Sequence, residues 1–364
     1  MKVHVITHTH WDREWYRTYQ EFRIYLVNLI DNLLEWLETH DEYHSFLLDG
    51  QTVILEDYLQ VHPEQYDKLK RQIEMGKIII GPMYIQPDEF IPSGESLVRN
   101  LLIGTLICER FGAIMKIGYF PDSFGQASQI PQILKGFGID KAVFWRGLCD
   151  EDIKETEFIW ESRDGSKVLT LWLPFSYGNG YTMLTYTEEA IIFVKKAAQY
   201  LGSMATANNM VLMRGWDHSG FSPELPEILA GISEQLQKEG IEIVHSSLQN
   251  VFMDIEKEKP DLKTLRGEFR KPKTMRIHAG IDSTRMDIKQ LNRKNQNLLE
   301  KYVEPLCAIN WVFGDSYPGQ VINQAWKYIL QSQAHDSICS CCTDEALRTV
   351  KNRFLDACEI SDAL

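Results

Sequence analysis

No stretch of this 364-residue chain comes near the roughly 20 consecutive apolar residues that a membrane-crossing helix needs. The apolar run at the N-terminus is short and broken by His4, so it does not read as a signal peptide. Basic residues are in deficit: 38 Lys and Arg stand against 51 Asp and Glu, a net charge of −13. That balance speaks against nucleic acid or an anionic membrane as a partner, because phosphates need a basic surface. A neutral or cationic substrate fits it better. Cysteine is scarce and odd in number, at 7, which points to reduced thiols and a cytoplasmic protein. Cys339, Cys341 and Cys342 form a tight cluster, but no second Cys or His pair stands at zinc-ribbon spacing. Small residues packed against an active site describe it better. Internal repeats and low-complexity segments are missing too. What remains, 44% hydrophobic and 24% charged residues, is the make-up of a globular chain with ample length for a full core.

From Met1 to about Ser247, short β-rich runs alternate with longer helical patterns. Strands are predicted over Val3–Thr7, Ser45–Asp49, Lys77–Ile80, Lys116–Phe120, Lys141–Trp145, Lys167–Leu173, Val211–Arg214 and Ile241–His245. Helical stretches such as Glu21–Thr39, Pro63–Met75, Glu95–Phe111 and Thr187–Gly202 lie between them. Repeated β-α-β predicts an α/β fold, here a seven- or eight-stranded, mostly parallel barrel-like domain over residues 1–258. Phe158 to Leu173 departs from the pattern, and Arg163-Asp164-Gly165-Ser166 within it predicts a hairpin. Beyond Lys259 an irregular charged stretch leads into three helical patterns, Arg285–Leu306, Val321–Gln333 and Asp344–Leu364. The first carries its apolar stripe at Ile288, Leu291, Leu298, Tyr302 and Leu306. Residues 259–364 are therefore expected to form a three-helix bundle.

Polar clusters sit where these elements end. His8-Thr9-His10-Trp11-Asp12 follows the first strand, and imidazole with carboxylate at that place suits a metal such as zinc. A solvated strand-to-helix turn is the alternative. Asp122 follows the Lys116–Phe120 run, Arg146 follows Trp145, and Asp217 follows the Val211–Arg214 run. Gln333-Ala334-His335-Asp336-Ser337 ends the second helix of the bundle. Each has a bland reading as a cap or a turn. Yet side chains placed after different strands of one sheet converge on one rim.

The motifs HTHWDREW (His8–Trp15), GYFPDSFG (Gly118–Gly125), the Gly215-Trp216-Asp217 turn and QAHDS (Gln333–Ser337) resemble glycoside hydrolase family 38, the retaining α-mannosidases. The likeness runs in order over nearly the whole chain and is greatest to the bacterial members, which include mannosylglycerate hydrolases. Members are longer, with β-rich domains after the helices, so the chain resembles an N-terminal portion. The resemblance implies one zinc held by His10, Asp12, Asp122 and His335. It implies Asp122 as nucleophile and Asp217 as general acid/base, the latter with an unusual neighbour in Trp216. Trp15 would wall the sugar, Arg146 would hold the nucleophile, Asp336 would bond a sugar hydroxyl, and His8 would orient a ligand. His218 and the Asp88-Glu89 pair are the next candidates for the acid.

Retaining hydrolysis needs two carboxyls about 5–5.5 Å apart with opposed protonation states. A cation beside Asp122 would keep it ionised, while burial beside Trp216 would keep Asp217 protonated. The expected substrate is thus a terminal α-mannoside; self-association stays open. A metal-dependent sugar deacetylase would use similar residues but release acetate, and an inactive sugar-binding homologue would release nothing.

Overall fold

The computed structural model describes residues 1–183 and 187–364, with Thr187 as backbone only. Among these residues ten strands form: β1 (Lys2–Thr9), β2 (Phe46–Leu48), β3 (Ile78–Ile79), β4 (Gly118–Phe120), β5 (Lys141–Phe144), β6 (Glu157–Glu161), β7 (Lys167–Trp172), β8 (Asn209–Arg214), β9 (Glu242–His245) and β10 (Thr264–Arg266). Between them run α1 (Tyr19–Leu37), α2 (Val53–Leu59), α3 (Tyr66–Glu74), α4 (Gly94–Phe111), α5 (Ile130–Gly136), α6 (Thr187–Gly202), α7 (Leu225–Gln237) and α8 (Leu248–Glu258).

β1 is buried along nearly its whole length because other elements cover both its faces and both its edges. β8 pairs with it along one edge, and β9 and then β2 pair along the other, all parallel. With β3 these make one five-stranded sheet, and β10-β6-β7-β5-β4 make a second. Among the strands of the described residues the one antiparallel pair is β6–β7, the predicted hairpin, where the Asp164 carboxylate accepts from Ser166 N at 3.0 Å. The strands thus number ten in two sheets, where the sequence led to one barrel of seven or eight. Hydrogen bonding among the described residues does not join the sheets into a ring. They nevertheless share a core, to which Ile6, Leu47, Ile79, Tyr119, Val143, Leu171 and Met213 bring one side chain from each of seven strands.

Sequence periodicity passed over β10 because its residues are mostly exposed and two of the three are polar. It adds to the edge of the second sheet by pairing with β6, and Phe269 and Lys271 bridge to Gln126 and Gly147. The sheet-bearing part of the chain therefore continues past residue 258.

The helical region follows as α9 (Met286–Leu298), a π-helical turn (Leu299–Val303), α10 (Glu304–Val312), α11 (Gly319–Ser332), the short α12 (His335–Ile338) and α13 (Asp344–Ala363). α9, α11 and α13 pack against one another. Pro305 has no N–H for the carbonyl four residues back, and a π turn precedes it. The buried stripe already runs one residue later than expected before that turn, through Asn292 and Asn295 of α9, because these amides rather than Leu291 and Leu298 face the interior. Leu299, Val303 and Cys307 are buried, while Tyr302 and Leu306, expected inside, are 59% and 56% exposed. Ile322, Trp326, Ile329 and Leu330, and Val350, Phe354 and Cys358, are buried as their periodicity predicts.

A buried ion pair ties the two regions. Glu14, just beyond β1, accepts from both Arg353 terminal nitrogens and, at 2.7 Å, from the Ser337 hydroxyl. Breaking such a pair by removing one partner strands a buried charge and costs about 3–5 kcal/mol. Arg353→Met should therefore lower the urea midpoint, and Glu14→Met together with Arg353→Met should lower it by less than the sum of the two. A double-mutant coupling below about 0.5 kcal/mol would contradict the pairing.

Candidate active site

The site is assembled where β1 and β8 end. The chain continues beyond both strands so that His10 and Asp217 form a parallel bridge, with His218 N donating to the His10 carbonyl at 2.8 Å. That approach needs glycine at 215, since a Cβ there would lie 2.0 Å from the His8 carbonyl oxygen. The second sheet supplies Asp122 after β4 and Arg146 after β5, and α12 supplies His335 and Asp336.

Ligand-type atoms of His10, Asp122 and His335 all lie within 4.8 Å of one another, and so do those of Asp12, His335 and Asp336. His10 Nε2 is 3.2 Å and His335 Nε2 3.3 Å from Asp12 Oδ1, and His335 Nε2 is 3.6 Å from Asp122 Oδ2. Both Nε2 atoms are buried and lack a hydrogen-bond partner among the described residues. Each Nδ1 is already engaged, that of His10 by Asp49 Oδ1 at 3.1 Å and that of His335 by the Gln86 carbonyl at 3.3 Å. Partners of this kind put the proton on Nδ1 and turn the Nε2 lone pair inward, as around a bound metal. Two imidazole lone pairs facing three carboxylates need a cation among them, so the donors fit a divalent ion. Protons answer the same demand: burial lowers His335, but Asp122, Asp336 and Asp12 more than reverse this and raise it to about 9.

Asp122 and Asp217 have opposed surroundings. Arg146 grips Asp122 Oδ1 through Nε at 2.7 Å and a terminal nitrogen at 2.6 Å. Burial works against ionisation of Asp122, but Arg146 and His335 outweigh it and hold its carboxyl below the usual range. Asp217 goes the other way: burial first, then the charges of Asp12 and Asp122, push it up to about 6 against the pull of His10 and Tyr177. The Tyr177 hydroxyl donates to Asp217 Oδ1 at 2.6 Å, and the Tyr177 ring stacks on Trp216, centroids 5.2 Å apart.

The model of the glycosyl hydrolases family 38 N-terminal domain matches residues 1–270, and that of the α-mannosidase middle domain matches residues 276–364. The chain belongs to glycosyl hydrolase family 38. It is 36% identical to a protein of Halalkalibacterium halodurans that bears the provisional name mannosylglycerate hydrolase, over 97% of this chain and 40% of that protein. It is 27% identical to an α-mannosidase of Saccharomyces cerevisiae, over 94% of this chain and 32% of that protein. The crystal structure of an α-mannosidase from Enterococcus faecalis V583 superposes with a TM-score of 0.95 at 37% identity, covering 99% of this chain and 41% of that one. The chain thus spans 32–41% of the length of these family 38 relatives.

Other residues singled out by the sequence fall into place or out of it. Asp336 is buried beside Asp12 and His335. Trp15 is half-buried, with its ring edge-on to Tyr16 at 4.9 Å, and its carbonyl accepts from Thr343 N at the start of α13. His8, expected to orient a ligand, instead donates from Nε2 to the Tyr177 carbonyl at 2.7 Å, and Asp49 orients His10. Asp88 is spent on the backbone N–H groups of Phe90 and Ile91, and Glu89 accepts from Ala127 N. The Cys339–Cys342 thiols are free and lie beside α12; they belong to neither ligand cluster. Sequence reasoning missed Asp49 and Tyr177. For Asp49 a signal existed, a carboxylate at the end of a buried strand just before Gly50. Tyr177 follows an irregular segment with no such mark. If Asp49 orients a metal-binding imidazole, Asp49→Ala should weaken metal affinity about 10–100-fold in a chelator competition. Unchanged affinity would remove it from that role.

Proposed function

We propose that this chain carries the catalytic centre of a retaining, exo-acting α-mannosidase. The observation that carries the proposal is the pair Asp122 and Asp217, one carboxylate kept ionised by Arg146 and the other pushed toward its protonated form, beside a two-His, multi-Asp cluster. His10, Asp12, Asp122 and His335 would hold one divalent ion, and zinc suits their nitrogen and oxygen donors. When bound, the ion supplies positive charge to which the cis 2- and 3-hydroxyls of mannose can be held. Asp122 attacks the anomeric carbon and forms the glycosyl-enzyme. Arg146 keeps its carboxylate ionised and fixed for that attack. Asp217 donates its proton to the leaving oxygen and then takes one from the incoming water. Tyr177 occupies Oδ1 of Asp217, leaving Oδ2 as the oxygen that exchanges the proton. Asp336 and Trp15 complete the sugar site in this reading. A cytoplasmic location belongs to this reading, with all seven cysteines free; among the described residues no helix is long and apolar enough to cross a membrane.

Mannosylglycerate hydrolysis is the second reading, favoured by the 36% identity to the Halalkalibacterium halodurans protein. Both need the same centre and differ in the leaving group. Assaying aryl α-mannosides, mannobiose and mannosylglycerate side by side, with this chain and with a full-length protein that contains it, decides between them. Release of mannose from none of the three overturns the proposal.

Two outcomes test the roles. Proton NMR of early turnover should show the α-anomer first, and a β-anomer would mean inversion and remove Asp122 as nucleophile. Asp217→Ala should lose about 10²–10⁴-fold on a natural mannoside. It should form the glycosyl-enzyme from a dinitrophenyl mannoside far less impaired, and azide should rescue its turnover. Equal loss on both substrates would show Asp217 to be structural.

A further inference from the structure

A groove of about 630 Å³ opens on the outer side of the His218 ring, between α1 and the Gly220–Pro223 loop, and the reaction described above makes no use of it. One face of α1 lines it at helical spacing, with Tyr25, Asn28, Asn32, Glu35 and Trp36, and Phe221 faces them from the loop. Two aromatic side chains, Tyr25 and Trp36, alternate there with two amides and a carboxylate. Polar groups that bond hydroxyls, set among rings that cover C–H faces, are the combination a sugar requires. Trp36 has one ring face covered by His40, 3.3 Å away between centroids, and its ring is tilted by 44° against Phe221 at 6.1 Å.

Two residues that line the groove, Trp36 and His218, each carry a buried ring nitrogen without a hydrogen-bond partner among the described residues, Nε1 and Nδ1 respectively. The other nitrogen of His218 sits 3.2 Å from Asp12 N and 3.1 Å from the Asp12 carbonyl, so either tautomer is served on that side while Nδ1 is left over. The ring itself is fixed, stacked on Phe22 at 3.8 Å and edge-on to Trp11 at 4.9 Å.

Charge narrows the ligand. Among the described residues no lysine or arginine lines the groove, and Glu35 is its one carboxylate. Arg17 lies over the Tyr25 ring, 5.4 Å from its centroid, and pairs with Glu21 at 3.7 Å. A phosphorylated or carboxylated ligand would meet Glu35 without a compensating cation. We propose that the groove between α1 and the Gly220–Pro223 loop is a second, non-catalytic binding site for a neutral saccharide, separated from Asp12 by the His218 ring alone. Its occupancy needs neither Asp122 nor a metal ion, so it stands apart from the reaction proposed above.

Saturation-transfer NMR on the full chain, with methyl α-mannoside and mannose 6-phosphate as probes, tests this. The proposal expects binding of the neutral glycoside that survives chelator treatment and Asp122→Ala. It expects Asn32→Ala, at an exposed position that leaves the fold intact, and Trp36→Ala each to weaken that binding about tenfold, as the loss of one good contact does. Mannose 6-phosphate should bind at least about tenfold more weakly than the neutral glycoside, and Glu35→Gln should narrow that gap. No saturable transfer up to about 10 mM overturns the proposal. So does binding that disappears with chelator or Asp122→Ala and ignores the groove variants, a result that would leave the catalytic reading intact. Equal affinity for the two probes removes the neutral class.

Discussion

Asp12, Asp49, Asp122 and Asp336 lie in one largely buried neighbourhood, and carboxylates so crowded cannot all remain charged without cations placed among them. The fold meets this demand unevenly. Arg146 neutralises one side of Asp122, and His10 stands between Asp12 and Asp49, while His335 faces Asp12 and Asp122 together. Both imidazole Nε2 atoms lack a hydrogen-bond partner among the described residues. A site that takes one more positive charge at a fixed point fits a metal ion, and the surrounding hydrogen bonds orient the donors in advance.

Meeting that demand takes residues from three parts of the chain, which binds the architecture together. The eight residues from His8 to Trp15 show how. His10 and Asp12 face the cluster, and Trp11 N donates to Asp49 Oδ2 at 2.8 Å. Arg13 forms a bidentate pair with Asp57, at 2.7 and 2.8 Å, and Glu14 pairs with Arg353. His335 is reached only because residues 86–88 join both sides. The Gln86 carbonyl accepts from His335, Gln86 Nε2 donates to the Asp49 carbonyl at 2.6 Å, and Pro87 bridges to Ala334. Loss of the interface between sheets and helices would therefore scatter the ligands as well as expose a core.

The same strand end serves two directions. Asp217 and His218 are adjacent, and the turn between them sends their side chains to different surroundings. Asp217 meets Tyr177 within the cluster, while His218 packs on Phe22 of α1 and backs the outer groove. The positive φ of His218, 53°, is the local strain by which the turn after Asp217 is made.

Alternating β-rich and helical patterns made the α/β character legible, because period and burial follow directly from residue order. Strand-end polar residues marked His10, Asp12, Asp122, Arg146 and Asp217 for the same reason: a side chain at the end of a buried strand has a predictable place. His335 was legible as a motif, but its nearness to Asp12 was not, since 323 positions separate them and folding alone closes that distance. Nor could the sequence show that Asp49 rather than His8 orients His10, which depends on the register of β1 against β2. The buried stripe of α9 runs through Asn292 and Asn295, and a reading guided by apolar residues alone could not find it there. The division into two sheets and the outer groove were likewise decided in three dimensions, because strand pairing and side-chain convergence depend on contacts between residues far apart in the chain.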